Sequence, residues 1–477
     1  MAKKDITAGL TVKKEDDMPE WYSQVVLKSE LAEYSTVKGC MIIRPYGYAI
    51  WQKIMDYFNK RLEKLEVSNA YFPMFIPESF FKKEAEHAKG FSPEVAWIQN
   101  KDEDKKERLA LRPTSETIIY DSYSRWIRSW RDLPLRMNQW CNIVRWEVSD
   151  VKLFLRSREF LWQEGHCVYE TKKECDKETL MILDEYRKLA ENLLAVPVLT
   201  GKKTDKEKFA GALYTTTIEA FMPDGKAIQL GTSHNLGQGF GKAFGIKYRG
   251  KDEKYNTPWQ NSWGFSTRLI GALVMLHSDD KGLVLPPSIA PTQVVIVPIL
   301  FDKTKQKVMK KAKELKSKLK AFSVKLDDRD EYSPGWKFNE WELKGIPVRI
   351  EIGPKDIENK QVVLVRRDNG EKQAVKITQV NKKVKDILDN MQKSLFKKAK
   401  KFLDENILPA NNWNEFISII KARKIAKANF CGEVGCENHI KDKTVGATSR
   451  CIDVEKKGKC IHCEKESKFL VYFSKNY

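Results

Sequence analysis

Two segments of alternating character, residues 142–148 and 158–166, constrain the fold of this chain more than any other feature. Arg145 and Glu147 stand two residues apart in the first, and Arg, Phe, Trp, Glu and His occupy every second position from 158 to 166 in the second. Because side chains of a strand alternate between its faces, this spacing predicts a hairpin with one chemically rich face. Guanidinium groups bind phosphates and aromatic rings stack on bases, which favours a nucleotide site. The alternative is an exposed sheet face with cross-strand ion pairs.

The glycine-rich stretch 231–245 excludes two common ways of holding phosphates. It contains neither the dinucleotide-binding spacing nor a Walker loop, since Ala243 follows Gly241-Lys242 and no glycine stands five residues before Gly241. Any phosphates are therefore expected to be held by side chains, as in an arginine clamp.

Composition narrows the class of protein. At 477 residues with 42% hydrophobic residues, the chain is long enough for two to four domains, and its formal charge of +20 favours nucleic acid as partner over a basic surface kept for solubility. No stretch approaches the ~20 apolar residues of a membrane helix, and no apolar signal region opens the chain. Nine cysteines, an odd number, argue against a secreted disulfide framework. We expect a cytoplasmic protein with no membrane partner.

Proline pairs and periodicity divide the chain into three parts. Residues 1–290 mix helical and strand-like stretches up to Pro286-Pro287. Residues 291–402 predict a compact α/β module, with a buried strand at 294–297, a helix, and a hairpin whose turn is Asp368-Asn369-Gly370. Ten lysines lie between Lys303 and Lys325, mostly on the helix face opposite its apolar residues. Residues 403–477 hold five of the nine cysteines.

Four cysteines near the end form two close pairs, Cys431 with Cys436 and Cys460 with Cys463. In a reducing compartment, four thiolates so spaced favour tetrahedral Zn²⁺ over disulfides. Four sulfur ligands leave no open coordination position, so we expect the zinc to be structural.

Five ordered motifs resemble those of class II aminoacyl-tRNA synthetases, in the form found in prolyl-tRNA synthetases of the eukaryotic and archaeal type. They are the 145–147 and 156–166 segments (motif 2), 39–51 (motif 1), 263–268 (motif 3), and the sequences Leu-Arg-Pro-Thr-Ser-Glu at 111–116 and Gln-Leu-Gly-Thr-Ser-His at 229–234. The resemblance covers the chain from about Trp21 to Tyr477. It implies an α+β fold: an antiparallel-sheet catalytic domain, an α/β anticodon-binding domain and a small zinc-binding C-terminal domain. It also implies a homodimer formed through motif 1.

The resemblance further implies a reaction and a role for each motif residue. ATP would activate L-proline to prolyl-adenylate, which then acylates proline tRNA, with Mg²⁺ bridging phosphate oxygens. Arg145 would bridge the proline carboxylate and the α-phosphate, and the terminal Tyr477 would fold back toward this site. The proline pocket would consist of Thr114, Glu116, Arg145, Trp162, Glu164, His166, Phe209 and His234. The ATP pocket would consist of Arg145, Glu147, Arg156, Phe160, Gln229, Thr232, Ser266 and Arg268.

The resemblance extends to the α/β module through the segment 332–342. Phe338 and Glu342 stand four residues apart, and Arg349 and Glu351 share a strand face, so these four are candidates for reading the anticodon. A helix that packs Phe338 inward is the alternative. The lysine-rich helix would then serve as a phosphate track.

Two rival interpretations remain open at this stage. A catalytically silent paralogue would bind RNA or a partner alone, but it would have no use for Arg145, Arg156 and Arg268. A threonyl or glycyl enzyme would share the fold. A threonyl enzyme needs a catalytic zinc site, and the cysteines of residues 1–290 lack the associated histidines; these cysteines are Cys40, Cys141, Cys167 and Cys175.

Overall fold

The computed structural model describes residues 9–87, 94–99, 107–148 and 151–477. Up to residue 290 its elements are α1 Met18–Lys28, β1 Ala32–Tyr34, β2 Met41–Ile43, α2 Pro45–Lys64, β3 Ser68–Asn69, β4 Phe75–Pro77, α3 Glu78–His87, β5 Trp97–Ile98, β6 Leu109–Leu111, α4 Glu116–Trp126, β7 Leu135–Val144, β8 Glu159–Tyr169, α5 Lys172–Lys188, β9 Leu199–Lys202, β10 Tyr214–Phe221, β11 Lys226–Gly237, α6 Gly239–Ala243, β12 Tyr248–Arg249, β13 Tyr255–Asn256, β14 Trp259–Ser266 and α7 Arg268–His277.

A large, mainly antiparallel sheet forms the centre of this part. The strands β10, β11, β14, β8 and β7 follow one another in that order, each antiparallel to the next. Helices α1, α2, α5 and α7 cover one face and enclose a single large core that includes Trp21, Phe58 and Trp263. The opposite face of β8, β14 and β11 is left free to line a cavity.

Local sequence explains why α5 begins where it does. Thr171 accepts a hydrogen bond from the backbone of Glu174, whose side chain accepts in turn from the backbone of Thr171. This reciprocal capping satisfies two amide groups that a helix start otherwise leaves unpaired. The helix then buries Ile182 and Tyr186 against the sheet.

The second part is the α/β module that the periodicity predicted. Its elements are β15 Val294–Pro298, α8 Lys305–Lys318, β16 Val324–Leu326, α9 Pro334–Leu343, β17 Val348–Ile352, α10 Pro354–Glu358, β18 Gln361–Arg366, β19 Lys372–Lys376 and α11 Val380–Glu405. The five strands form one sheet in the order β16, β15, β17, β18, β19. Gly370 supplies the positive φ of 73° in the turn between β18 and β19, a conformation that glycine adopts without steric cost.

The third part extends the central sheet. Its elements are β20 Ile407–Ala410, α12 Trp413–Lys421, β21 Ile425–Phe430, α13 Val434–Lys443, β22 Ala447–Glu455 and β23 Phe469–Asn476. Strand β22 pairs with β9, so one sheet of eleven strands runs from β20 to β3. Gly201 on β9 permits this contact, because a Cβ at that position would lie 2.1 Å from the carbonyl oxygen of Ile452.

Among the helices of the described residues, none has the length and apolar character needed to cross a membrane.

Candidate active site

A cavity of about 270 Å³ lies on the free face of β8, β14 and β11. Phe160, Trp162, Glu164 and His166 of β8 all line it, as the alternation in the sequence predicted. The strand register places Ser262 of β14 opposite both His166 and His234, so the three strands form a continuous floor. The predicted residues Thr114, Glu116, Arg145, Phe209, Gln229, Thr232, Ser266 and Arg268 line the same cavity.

One end of the cavity is acidic and closed. Glu116, Glu164 and His166 are each no more than 5% exposed, and one ligand atom of each lies within 4.8 Å of the others. Thr114 Oγ1 donates a hydrogen bond to Glu116, and His166 Nε2 lies 3.1 Å from Glu164 Oε2. Two carboxylates buried this close together favour the binding of a cationic group that donates hydrogen bonds.

Hydrogen bonds keep Glu164 ionised despite its burial. Burial alone would raise its pKa, but contacts from His166, Ser115 and Gln139 hold that pKa below its ordinary value. Burial would lower the pKa of His166, but its bond to Glu164 and the charge of Glu116 raise it. The contact between these two side chains thus acts on both groups, lowering the pKa of Glu164 and raising that of His166.

The second histidine of the cavity is neutral. Burial and the nearby charge of His166 lower the pKa of His234 to about 3. Its Nδ1 lies 2.9 Å from the Thr215 hydroxyl, and its ring packs against Phe209 with centroids 4.9 Å apart. This wall is apolar in character and suits a small saturated ring.

The other end of the cavity is cationic. Arg145 lies beside two rings, its guanidinium carbon 5.6 Å from the Trp162 centroid and 5.8 Å from that of Phe160. Arg268 donates to the Leu155 and Gln229 carbonyls. Burial, followed by the charge of Arg145, lowers the pKa of Arg268 to about 10, which still leaves it cationic at neutral pH.

A second cavity, of about 510 Å³, adjoins this cationic end. Both cavities are lined by Arg145, Phe160, Ser266 and Arg268, and the second adds Glu147 and Arg156. Across the described residues, Arg145, Arg156 and Arg268 form no ion pair with a carboxylate. Three unpaired guanidinium groups facing one space constitute an anion site.

One detail of the predicted hairpin is wrong. Strand β7 ends at Val144, and the turn at 146–147 carries Glu147 away from the strand face that it was expected to share with Arg145. The backbone N–H of Arg145 still donates to the Arg158 carbonyl at 2.7 Å, which holds Arg145 at the cavity mouth. Glu147 is exposed and lines the second cavity but not the first.

Several lining residues were missed by sequence reasoning, among them Glu207, Thr215, Ser262 and Gly264. Ser262, Gly264 and Ser266 stand two residues apart on β14, so their side chains lie on the same face of the strand. Counting back from Ser266 in steps of two would have identified the other two as lining residues. Glu207 lies near Phe209 in an irregular loop, where no periodic signal exists, and Thr215 is the second residue of β10, opposite His234 of β11.

The C-terminal residue reaches the second cavity. Tyr477 lines it together with Arg156 and Arg268. Its hydroxyl donates to Asp224, and its ring lies 5.0 Å from Lys226 Nζ and 5.5 Å from Lys152 Nζ. This is the placement that the resemblance implied for the chain end.

The donor sets for metals differ between the two cavities. The cluster of Glu116, Glu164 and His166 has both imidazole nitrogens engaged, Nε2 with Glu164 and Nδ1 with the Tyr120 hydroxyl at 3.2 Å, so it fits an ammonium better than a metal. Around the second cavity, the described lining contains a single acidic side chain, that of Glu147. Mg²⁺ usually retains phosphate and water ligands, so an ion there fits as part of a bound nucleotide.

The four C-terminal cysteines converge as their spacing predicted. The sulfur atoms of Cys431, Cys436, Cys460 and Cys463 all lie within 4.8 Å of one another, and those of Cys431 and Cys463 are 3.9 Å apart. Tetrahedral Zn–S bonds of about 2.3 Å place sulfurs roughly 3.8 Å apart. All four are free thiols, so the cluster fits Zn²⁺.

Of the four anticodon candidates, three lie together. The Arg349 guanidinium lies 4.3 Å from the Phe338 ring centroid and donates to Glu351 at 2.9 Å. Glu342 instead accepts from Lys281 at 3.2 Å. A stacked pair that the sequence did not single out, Tyr332 and Trp336, has ring centroids 4.0 Å apart.

Comparison with known proteins gives one consistent family. Three sequence models match in order: "tRNA synthetase class II core domain (G, H, P, S and T)" over 97–277, "Anticodon binding domain" over 293–387, and "Prolyl-tRNA synthetase, C-terminal" over 413–477. A "Proline--tRNA ligase" of Alkaliphilus oremlandii is 52% identical over 97% of both chains. A "Proline--tRNA ligase 2" of Bacillus cereus is 49% identical over the full length of both.

These relatives are bacterial, so the eukaryotic and archaeal label attached to the motifs in the sequence analysis is not supported. The domain organisation that the resemblance implied is confirmed: the class II core, the anticodon-binding domain and the distinctive C-terminal domain. With identity near one half along nearly its whole length, the chain belongs to the prolyl-tRNA synthetases, a family of class II aminoacyl-tRNA synthetases.

Proposed function

We propose that this protein activates L-proline with ATP and transfers the prolyl group to the 3′ end of proline tRNA. The observation that carries the proposal is the polarity of the site. Buried carboxylates close one end of the first cavity, Arg145 and Arg268 lie at its other end, and Arg156 joins them around the adjoining cavity. None of these three guanidinium groups forms an ion pair with a carboxylate among the described residues. A small ammonium-bearing acid and a polyphosphate fit these two ends.

At the closed end, Thr114, Glu116 and Glu164 would receive the secondary ammonium of proline. Trp162, His166, Phe209 and His234 would surround the ring. His234 is neutral, so it adds no charge to repel the ammonium. This end selects a cationic nitrogen beside an apolar ring.

At the cationic end, Phe160 would stack on adenine and Glu147 would accept from its amino group. Gln229, Thr232 and Ser266 would hold the ribose and phosphates, and Arg156 and Arg268 would take the outer phosphates. Mg²⁺, arriving with the nucleotide, would neutralise part of the phosphate charge.

Activation needs no nucleophilic side chain. A proline carboxylate oxygen forms a bond to the α-phosphorus while the bond from that phosphorus to the bridging oxygen breaks, releasing pyrophosphate. The terminal ribose hydroxyl of the tRNA then attacks the carbonyl carbon, and AMP leaves. Arg145 borders both cavities, so it would stabilise the charge that develops during the first step.

We further propose that the enzyme acts in the cytoplasm as a homodimer that carries structural zinc. Exposed apolar side chains of the motif 1 region support a dimer surface: Tyr34 is 50% exposed, Ile42 47% and Tyr48 42%. Analytical ultracentrifugation of wild type and of Ile42→Lys would test it, with dissociation expected for the variant. Phe338, Glu342, Arg349 and Glu351 are proposed to contact the anticodon loop.

Aminoacylation of total tRNA tests the proposed function. We expect ATP-dependent attachment of proline, confined to the isoacceptors with proline anticodons. Attachment of another amino acid, or no attachment in the presence of ATP, would contradict the proposal and favour a sister synthetase or a silent paralogue.

A further inference from the structure

A buried contact joins the cysteine-bearing C-terminal part to the loop that walls the proposed proline pocket. Glu437 follows Cys436 on α13 and is 0% exposed. Its carboxylate accepts from the Thr204 hydroxyl at 2.9 Å and from the Ser449 hydroxyl. Thr204 belongs to the loop after β9, so this hydrogen bond joins two residues that are 233 positions apart in the sequence.

Thr204 is the residue from which that loop turns into the cavity. Its carbonyl accepts from the backbone N–H of Glu207 at 3.1 Å and of Lys208 at 2.9 Å. Glu207 and Phe209 then line the cavity, and the Phe209 N–H donates to the Thr215 hydroxyl. The backbone of Thr204 thus shapes the turn, while its side chain is held by Glu437 and lies 3.0 Å from the Ser449 hydroxyl.

A second buried contact fixes the start of the same loop. Arg450 of β22 donates two hydrogen bonds to Glu219 Oε2 of β10, at 2.8 and 3.1 Å. The Lys203 ammonium donates to the other oxygen of Glu219 at 2.6 Å. All three side chains are less than 10% exposed, so the loop leaves β9 from a rigid base.

We propose that Glu437 is a positioning residue for amino-acid binding, acting through Thr204 on the wall formed by Glu207 and Phe209. The inference rests on the pocket assigned under the proposed function. The arginine end of the cavity lies on other elements, so the effect is specific to the amino acid and spares ATP. The C-terminal part would then contribute to substrate binding as well as to stability.

The test compares Thr204→Val, which keeps shape but loses the hydroxyl, with Thr204→Ser, which keeps the hydroxyl. In pyrophosphate exchange we expect Thr204→Val to raise the KM for proline at least about ten-fold, as for loss of a hydrogen bond to a charged group, with the KM for ATP within two-fold. Thr204→Ser should stay within about three-fold for both substrates. Glu437→Met, which keeps a side chain of similar length but has no oxygen to accept from Thr204, should reproduce the Thr204→Val effect.

Thr444→Val provides the matched control. Its hydroxyl donates to the Ile440 carbonyl at 2.6 Å and accepts from the Ala447 backbone N–H at 3.0 Å, two partners within the same C-terminal part. We expect lower thermal stability but an unchanged KM for proline. Zinc content, measured in every variant, should equal that of wild type.

Two results would overturn the inference: Thr204→Val and Glu437→Met with a proline KM near wild type, or KM values for proline and ATP that rise together. If Thr204→Val does not fold, Glu437→Met alone decides between these outcomes. Phe209→Ala separates this inference from the pocket assignment. An unchanged proline KM for Phe209→Ala would contradict the pocket itself, whereas a raised one with normal Thr204→Val contradicts only the role of Glu437.

Discussion

Replacing Arg145 with alanine removes a guanidinium that borders both cavities and lies beside the rings of Phe160 and Trp162. Burial lowers its pKa, but an arginine keeps its charge at neutral pH, and no carboxylate pairs with it among the described residues. Its charge is therefore free to stabilise the negative charge that develops at the α-phosphate.

The expected magnitude follows from this geometry. Two unit charges about 4 Å apart attract by roughly 4 kcal/mol at an effective dielectric constant near 20. Removing one preorganised charge stabiliser costs about 2.7–4 kcal/mol in measured cases, or roughly 10²–10³ in rate. We expect Arg145→Ala to lose that factor in kcat for pyrophosphate exchange.

Two variants sharpen the assay. Arg145→Lys keeps a charge but loses the planar fork, so its rate should lie between those of Arg145→Ala and wild type. Arg156→Ala removes an exposed guanidinium of the second cavity and should mainly raise the KM for ATP. An Arg145→Ala enzyme within three-fold of wild type, with an unchanged melting temperature, would refute the assigned role.

Four further predictions concern other parts of the chain. Zinc should copurify near one equivalent per chain, and changing Cys460 and Cys463 to serine should release it and loosen the C-terminal part; unchanged metal content would contradict a four-thiolate site. Neutralising several lysines between 303 and 325 should weaken tRNA affinity and flatten its salt dependence without reducing tRNA-free pyrophosphate exchange, and an equal loss of both would mark the lysines as structural. With a folded pKa of about 3 against an ordinary 6.5, His234 should make the protein lose stability as pH falls through that interval, because only the unfolded chain takes up the proton; an NMR titration that places its pKa near 6.5 would contradict this. Residues 167–258, all described, form elements packed around the catalytic sheet and no separate domain that could hold an editing site. Preformed alanyl-tRNA should therefore persist in the presence of the enzyme, and rapid enzyme-dependent hydrolysis would contradict this.

Sequence reasoning succeeded where one periodic element carries the chemistry. The four β8 residues that line the cavity follow a two-residue period, so a single strand assignment placed them together. Close cysteine pairs likewise specify a tetrahedral cluster without knowledge of the fold, since each pair needs only a short turn to converge.

It failed where position depends on contacts distant in sequence. Glu147 was misplaced because β7 ends three residues earlier, in a turn that the alternation does not reveal. Glu342 follows the expected helix spacing, yet Lys281 of the preceding part pairs with it. The pairing of β22 with β9, and with it the contact between Glu437 and Thr204, depends on tertiary packing that no local pattern encodes.

Pyrophosphate exchange with each of the twenty standard amino acids, in the absence of tRNA, tests the central claim most directly. The account predicts strong exchange with proline and weak exchange with alanine and cysteine, since a pocket sized for the larger ring discriminates by only about 1–3 kcal/mol for each missing methylene. Strong exchange with threonine or glycine, or none with proline, would contradict it.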